Sequence, residues 1–273
     1  MYIAFKALKQ FMKKEKPGFA VKIPESWFIG SDVFKGYMSE NGMDLYEHVK
    51  YFDRRYTESY NKYIQTLPFH NFQERITAKF RELLLKTRGS PLIIRSSSLL
   101  EDGFGTPFAG KYDSFFIPNT HSIDENLAMF IDAVKAVYAS VFNPNSLEYR
   151  KKKGLLDEYE SMAILVQKVV GAEYTGSSGN RYFMPAFSGV GFSVNSYPWS
   201  KDVRQEDGVV SLALGLGTAV VDRPDPDDGM VCIKDLSIFS NPGAEKELGK
   251  SQRKFHAVNL SSKNFRESVE KIR

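Results

Sequence analysis

With 273 residues the chain can bury a core as one large domain or two small ones, and 42% hydrophobic with 26% charged residues exclude a disordered polymer. The 37 basic and 33 acidic residues leave a net charge of +4, too small an excess to imply a nucleic-acid partner. A single cysteine, Cys232, excludes an intramolecular disulfide or a cysteine-held zinc ion, and no apolar run approaches the roughly 18 residues of a membrane span.

A cytoplasmic protein without membrane contact is therefore expected. His48, His70, His121 and His256 form no H-E-x-x-H pair, and the basic runs at 13–16 and 150–153 read as solvated faces. Ile3, Phe5, Leu8, Phe11 and Met12 predict a helix over 2–14, ended by Pro17-Gly18. Phe19–Pro24 reads as a strand and Ser31 onward as a helix. Phe72, Ile76, Phe80, Leu83 and Leu84 mark an amphipathic helix between Pro68 and Gly89-Ser90-Pro91.

Pro91-Leu-Ile-Ile94 is a short β-favouring run that stops at Arg95-Ser96-Ser97-Ser98. Glu101-Asp102, a loop with three glycines and a second strand from Tyr112 to Ile117 follow. An arginine and three hydroxyls at the end of a buried strand suit a polar ligand. The guanidinium is a rigid fork for phosphate oxygens, and such charge-assisted bonds are worth about 1.5–3 kcal/mol each. Glycines let backbone N–H groups come close to a bulky anion. The same composition also fits a solvated arginine followed by a Ser/Gly turn.

Ser122-x-x-Glu125 is a capping box, and Ile123, Leu127, Phe130, Ile131, Val134, Val137, Tyr138 and Val141 form one apolar stripe that Asn143-Pro144 stops. Met162–Val170 reads as a buried strand with one amide, Gln167, which needs a partner and could find it in neighbouring backbone. Thr175–Asn180 is a turn and Phe183–Val194 a further strand region. No G-x-x-x-x-G-K-[ST] occurs, and Gly189-Val190-Gly191 lacks the third glycine of a dinucleotide fingerprint. Asp225, Asp227 and Asp228 are of a type that can bind a metal, but three acids in a solvated, proline-rich stretch read first as a turn. From Ser240 the chain is polar and reads as peripheral, closing in a modest helix.

The order Arg95-Ser96-Ser97, Glu101-Asp102, Phe108-Ala109-Gly110 and Asp113-Ser114 resembles the signature of the nucleotide-binding domain of phosphoenolpyruvate synthase and pyruvate phosphate dikinase. V-K-I-P-E-S-W-F-I-G-S-D-V-F is similar to that family's "pVPpgFvittdaF". Ala139-Ser140-Val141-Phe142 and Tyr149-Arg150 resemble "aSlf..RAi.YR", with Asn145 in place of the first arginine. Gln167 matches "vvVQkMV", Gly189–Val194 resembles "GVmFTvdP", and Leu212–Thr218 resembles "GLGE" with Thr218 in place of the glutamate. The family's Gly-Gly-Lys loop and its "DIEWA" and "LQaRP" strands have no counterpart here.

The resemblance implies an α+β, ATP-grasp-like fold of the pyruvate phosphate dikinase N-terminal type, incomplete at both ends. One nucleotide-binding domain fragment is expected over 1–273: mostly helical to 90, strand-rich over 91–240, a peripheral tail over 241–273. The implied enzyme moves phosphate from ATP, with Mg²⁺, to a histidine on a separate swivelling domain and then to pyruvate, giving phosphoenolpyruvate. Arg95 is the implied catalytic residue and phosphate ligand, and Gly110 and Ser114 belong to the loop that covers the phosphates. Gln167 is placed beside the adenine, with the backbone at Lys168 and Val169 on the purine edge. No metal ligand is assigned. The expected partners are ATP and the phosphohistidine and pyruvate-binding domains of the same longer chain, a homodimer being compatible with this. The fragment alone is expected to be inactive. Two alternatives stay open: a non-catalytic ATP-grasp-like binding or regulatory module, and a dikinase with a glucan or antibiotic acceptor.

Overall fold

Alternating apolar residues set the stretch around Arg95 in the middle of an antiparallel sheet. The computed structural model describes residues 2–15, 18–41, 71–101, 110–156, 160–195, 204–218, 231–232 and 254–272. Four strands, β1 (Ser26–Ile29), β2 (Leu92–Ser97), β3 (Ser114–Ile117) and β4 (Ala163–Lys168), pair in the order β1-β4-β2-β3. Every pairing is antiparallel. One face of this sheet sends Leu92, Ile94, Ile117, Ile164 and Val166 into the core, where they are fully buried. Because successive side chains point to opposite faces, Ile93, Arg95, Phe116, Leu165 and Gln167 share the other face.

Helices cover the buried face. The described helices are α1 (Tyr2–Glu15), α2 (Ser31–Glu40), α3 (Glu74–Lys86), α4 (Ile123–Ser140) and α5 (Pro144–Lys152). α4 lies against β2, β3 and α3, and α2 against β4. The capping box closes as expected: Glu125 N–H donates to Ser122 Oγ at 3.3 Å, and Ser122 N–H donates back to Glu125 Oε2 at 3.2 Å. Between the helices Tyr37 stacks on Phe72 with centroids 4.5 Å apart, and Phe80 meets Phe130 edge-on at 5.1 Å. Such pairs add about 0.5–1.5 kcal/mol each beyond their burial.

A second sheet, in the order β11-β10-β6-β5, is built from β5 (Ala172–Thr175), β6 (Arg181–Met184), β10 (Phe255–Asn259) and β11 (Val269–Ile272). A third runs β7 (Phe187–Phe192), β8 (Val209–Leu214), β9 (Val231–Cys232). The second and third meet at Gly215, where Leu216 N–H donates to the His256 carbonyl at 2.9 Å. Gly215 has φ +75°, and a Cβ there would stand 2.5 Å from that carbonyl oxygen, so the junction requires glycine.

Mixed helix and sheet agrees with the α+β expectation, but several elements differ from it. The first strand is Ser26–Ile29 rather than 19–24: Pro24 has no N–H to donate, and Trp27-Phe28-Ile29 take the ladder to β4. β2 continues to Ser97 because β4 pairs with it as far as Ala163, so Arg95 lies within the strand instead of at its end. β4 is buried on one face only. Asn143-Pro144 both stops α4 and starts α5, the Asn143 side chain accepting the Asn145 N–H at 3.0 Å. Within the basic run after it, Lys151, Lys152 and Lys153 are exposed but Arg150 is fully buried. Pro185 splits the expected strand 183–194 into β6 and β7, which join different sheets. The closing helix is replaced by β10, a 3-10 turn at Phe265–Glu267 and β11. Ala257 and Val258 are fully buried there, and Ser268 Oγ donates to the Phe116 carbonyl at 2.5 Å, so this stretch is not a peripheral tail.

Candidate functional site

The open face of the first sheet carries two rows of side chains. In one row Arg95 stands opposite Ser114 on β3 and Leu165 on β4, and Leu165 stands opposite Phe28 on β1. In the next, Ile93 stands opposite Phe116 and Gln167, and Gln167 opposite Ser26. Arg95 is exposed, and its guanidinium makes no hydrogen bond or ion pair with a described residue. Gln167 lies one strand over and two residues along, about 7 Å at strand rise.

The second row floors a cleft of about 260 Å³. Ile93, Phe116, Gln167 and Val169 line one side, and Phe187 with Leu216 the other. Lys168, paired with Glu25, and Ser188, bonded to the Gly215 carbonyl, also line it, and largely apolar walls with a few polar groups suit a flat heteroaromatic ring. The volume falls just below the roughly 300–1,000 Å³ of pockets that enclose a drug-sized ligand, so it fits a base rather than a whole nucleotide. Gln167 Nε2 donates to Ser26 Oγ at 2.9 Å, and Ser26 Oγ donates to the Pro24 carbonyl at 3.0 Å. The amide, half-buried rather than buried, thus takes a side-chain partner instead of neighbouring backbone. The N–H groups of Lys168 and Val169 go to the carbonyls of Glu25 and Pro91 at 3.1 and 2.9 Å. A ligand edge at this turn is therefore left to the carbonyls or to residues beyond Val169.

Two of the three hydroxyls after Arg95 are engaged internally. Ser96 Oγ donates to Glu101 Oε1 at 3.0 Å, and Glu101 N–H donates to Ser98 Oγ at 3.2 Å. Ser98 also hydrogen-bonds Glu160. Burial pushes the Glu160 carboxyl up, while the charge of Arg150 and the Ser98 bond pull it back. The serine run is thus a strut beneath the sheet, with an internal carboxylate and guanidinium at its base.

Gly110, at φ +74°, lines a different hollow of about 400 Å³ with Asp113, Asn145, Tyr149 and Lys152. Burial raises the Asp113 carboxyl and the Arg266 charge opposes it. Asp102, Phe108 and Ala109, and with them the glycine-rich cover, lie outside the described residues, as do Asp225, Asp227 and Asp228. Among the described residues no group of three or more His, Cys, Asp or Glu could hold a metal ion, so no magnesium ligands are assigned. Thr218 Oγ1 and His256 Nδ1 share a hydrogen bond of 2.7 Å.

Comparison with known proteins decides the family. The pattern of the pyruvate phosphate dikinase AMP/ATP-binding domain matches residues 7–271. The chain belongs to this family. It is 25% identical over 214 residues to the phosphoenolpyruvate synthase of Escherichia coli, an alignment covering 75% of this chain and 24% of that enzyme. Against a probable phosphoenolpyruvate synthase of Archaeoglobus fulgidus it is 31% identical over 47% of the chain and 14% of the relative. Against an uncharacterized phosphotransferase of Bacillus subtilis it is 29% identical over 71% and 20% respectively. The chain thus spans a quarter or less of the length of these relatives.

Within this pyruvate phosphate dikinase family chain, the residues singled out from sequence divide into three places. Gln167 and Val169 line the cleft, Arg95 and Ser114 form the adjacent row, and Gly110 sits in the separate polar hollow. Sequence reasoning missed Ser26 and the cleft walls Phe116, Phe187 and Leu216. Phe116 was within reach, since period two puts it on the same face as Ser114. Phe187 comes from a strand of another sheet and no local signal marks it, whereas Leu216 lies in the stretch that resembles "GLGE" but reaches the cleft only through the packing of that sheet.

Proposed function

We propose that this domain binds ATP, with the base in the cleft floored by Gln167 and the phosphates crossing the open face to Arg95 and Ser114. An ATP-grasp-like arrangement accounts for a base held between two sheets. The observation that carries this reading is Arg95 itself: a guanidinium without a described protein partner, one row away from an apolar cleft. Arg95 would hold phosphate oxygens through paired N–H donors, Ser114 would add one hydroxyl, and Ile93, Phe116 and Phe187 would exclude water from the base. Phosphoryl transfer needs little covalent chemistry from the protein, so positioning and charge neutralisation are the contributions these residues make. Magnesium supplies charge neutralisation to such reactions when bound, and no step here is assigned to it.

In the whole protein the phosphoryl group would pass to a histidine on a swivelling domain and then to pyruvate, yielding phosphoenolpyruvate, as the names of the synthase relatives support. The 273-residue chain alone would lack that activity. Calorimetric titration of Mg-ATP into the chain, with Arg95→Ala beside it, tests the binding step. Binding that weakens roughly 10- to 100-fold in the variant is expected from the loss of charge-assisted bonds. No binding at millimolar ATP sinks the proposal.

A second reading, a binding module without catalysis, is favoured by the Thr218 hydroxyl bonded to His256 where the family motif carries a glutamate. Tight ATP binding by the whole protein without turnover in the presence of pyruvate would support it.

A further inference from the structure

Ser26 and Gln167 lie 141 residues apart in the chain and are joined by a two-bond relay whose direction is determined. The Pro24 carbonyl can only accept, and a serine hydroxyl has one proton. That proton is spent on Pro24 at 3.0 Å, since two acceptors would otherwise face each other there. Ser26 Oγ must therefore accept from Gln167, and the bond at 2.9 Å is from Nε2. The amide is held with its NH₂ toward β1, and no described residue donates to its Oε1. Of the other polar side chains lining the cleft, Lys168 is paired with Glu25 at 3.1 Å and Ser188 Oγ donates to the Gly215 carbonyl at 2.7 Å, so the polar atom that Gln167 leaves to a ligand is an acceptor.

We infer that Ser26 is a positioning residue that orients Gln167 and makes the cleft select a base bearing an amino group over one bearing a carbonyl at the same edge. The inference rests on the proposed binding of a purine nucleotide in this cleft and names the substrate class within it, 6-aminopurines over 6-oxopurines. An exocyclic amine donates to Gln167 Oε1. A 6-oxo group opposes it, acceptor to acceptor, and the amide cannot turn to help without abandoning Ser26.

The test measures dissociation constants of ATP and inosine triphosphate by calorimetry for the intact chain and for Ser26→Ala and Ser26→Thr. The parent is expected to favour ATP on the order of 10-fold, the size of one hydrogen bond. Ser26→Ala frees the amide to turn, and the ratio narrows at least roughly threefold, chiefly through tighter binding of the inosine nucleotide. Ser26→Thr keeps the hydroxyl and restores the ratio. A ratio unchanged in Ser26→Ala overturns the relay and leaves the base site standing. If neither nucleotide binds the parent, the base site falls, and the relay's role in selection with it. The Gln167 side-chain amide resonances report the relay without ligand: protected from exchange in the parent and in Ser26→Thr, unprotected in Ser26→Ala. Equal protection in all three would also overturn it.

Discussion

Arg95 and Ser114 face each other across β2 and β3 and project from the same open surface of the sheet. Neither supports the core, which lies behind the other face, so their substitution separates binding from folding.

Arg95→Ala is expected to change unfolding free energy by no more than about 0.5 kcal/mol, as for other exposed sites, while ATP affinity drops. Arg95→Lys should recover only part of the affinity, because a point ammonium lacks the planar fork. Denaturant melts beside calorimetry measure both. A loss of stability matching the loss of affinity would place Arg95 among structural residues instead.

The Ser122–Glu125 box predicts an acid-sensitive helix start. Hydrogen bonding from Lys263, then from Ser122, holds the Glu125 carboxyl at about 2 against an ordinary 4.5. A folded value below the unfolded one means stability is fully present above about 4.5 and is lost as pH falls toward about 2. Ser122→Ala should cost about 1 kcal/mol at neutral pH, as for other cap deletions. It should also flatten the acid limb of a stability–pH curve. NMR titration of the Glu125 carboxyl that finds an ordinary value would contradict this.

Glu160 works in the opposite direction. Burial raises its carboxyl above the unfolded value, Arg150 only partly opposing, so the native state holds the proton more tightly. Its contribution is greatest below the unfolded value and falls as pH rises through the folded one. Glu160→Gln should remove that slope. Arg150→Met leaves a buried carboxylate without its countercharge and should cost about 3–5 kcal/mol, and adding Glu160→Gln should return part of it. Urea melts across pH give all three values, and a pH-independent Glu160 would refute the assignment.

Gly215→Ala should destabilise by more than about 1 kcal/mol, because φ +75° strains an L-residue and the new methyl meets the His256 carbonyl. The loss should appear first at the Leu216 amide, whose bond to His256 joins the two sheets. Hydrogen exchange at Leu216 that stays as slow as in the parent would show the junction tolerates a side chain.

Some of this protein was written in local order. The cap at Ser122, the stripe along α4, the breaks at Pro144 and Gly89 and the ordered motif from Arg95 to Ser114 depend on spacings of a few residues, so neighbouring chain alone specifies them. Period two also put Arg95 and Ile93 on one face, but it could not say which face the helices would cover. Docking of α4 decided that, leaving Arg95 open and burying Ile94. Arg150, one of four consecutive basic residues, went inside because Glu160 and the Leu155 carbonyl wait there, a fact no count of charges contains. The partner of Gln167 arrives from β1, and the far wall of the cleft from β7 and Leu216. Contacts between distant segments form only when the whole chain has closed, so the cleft and its relay belong to the tertiary structure.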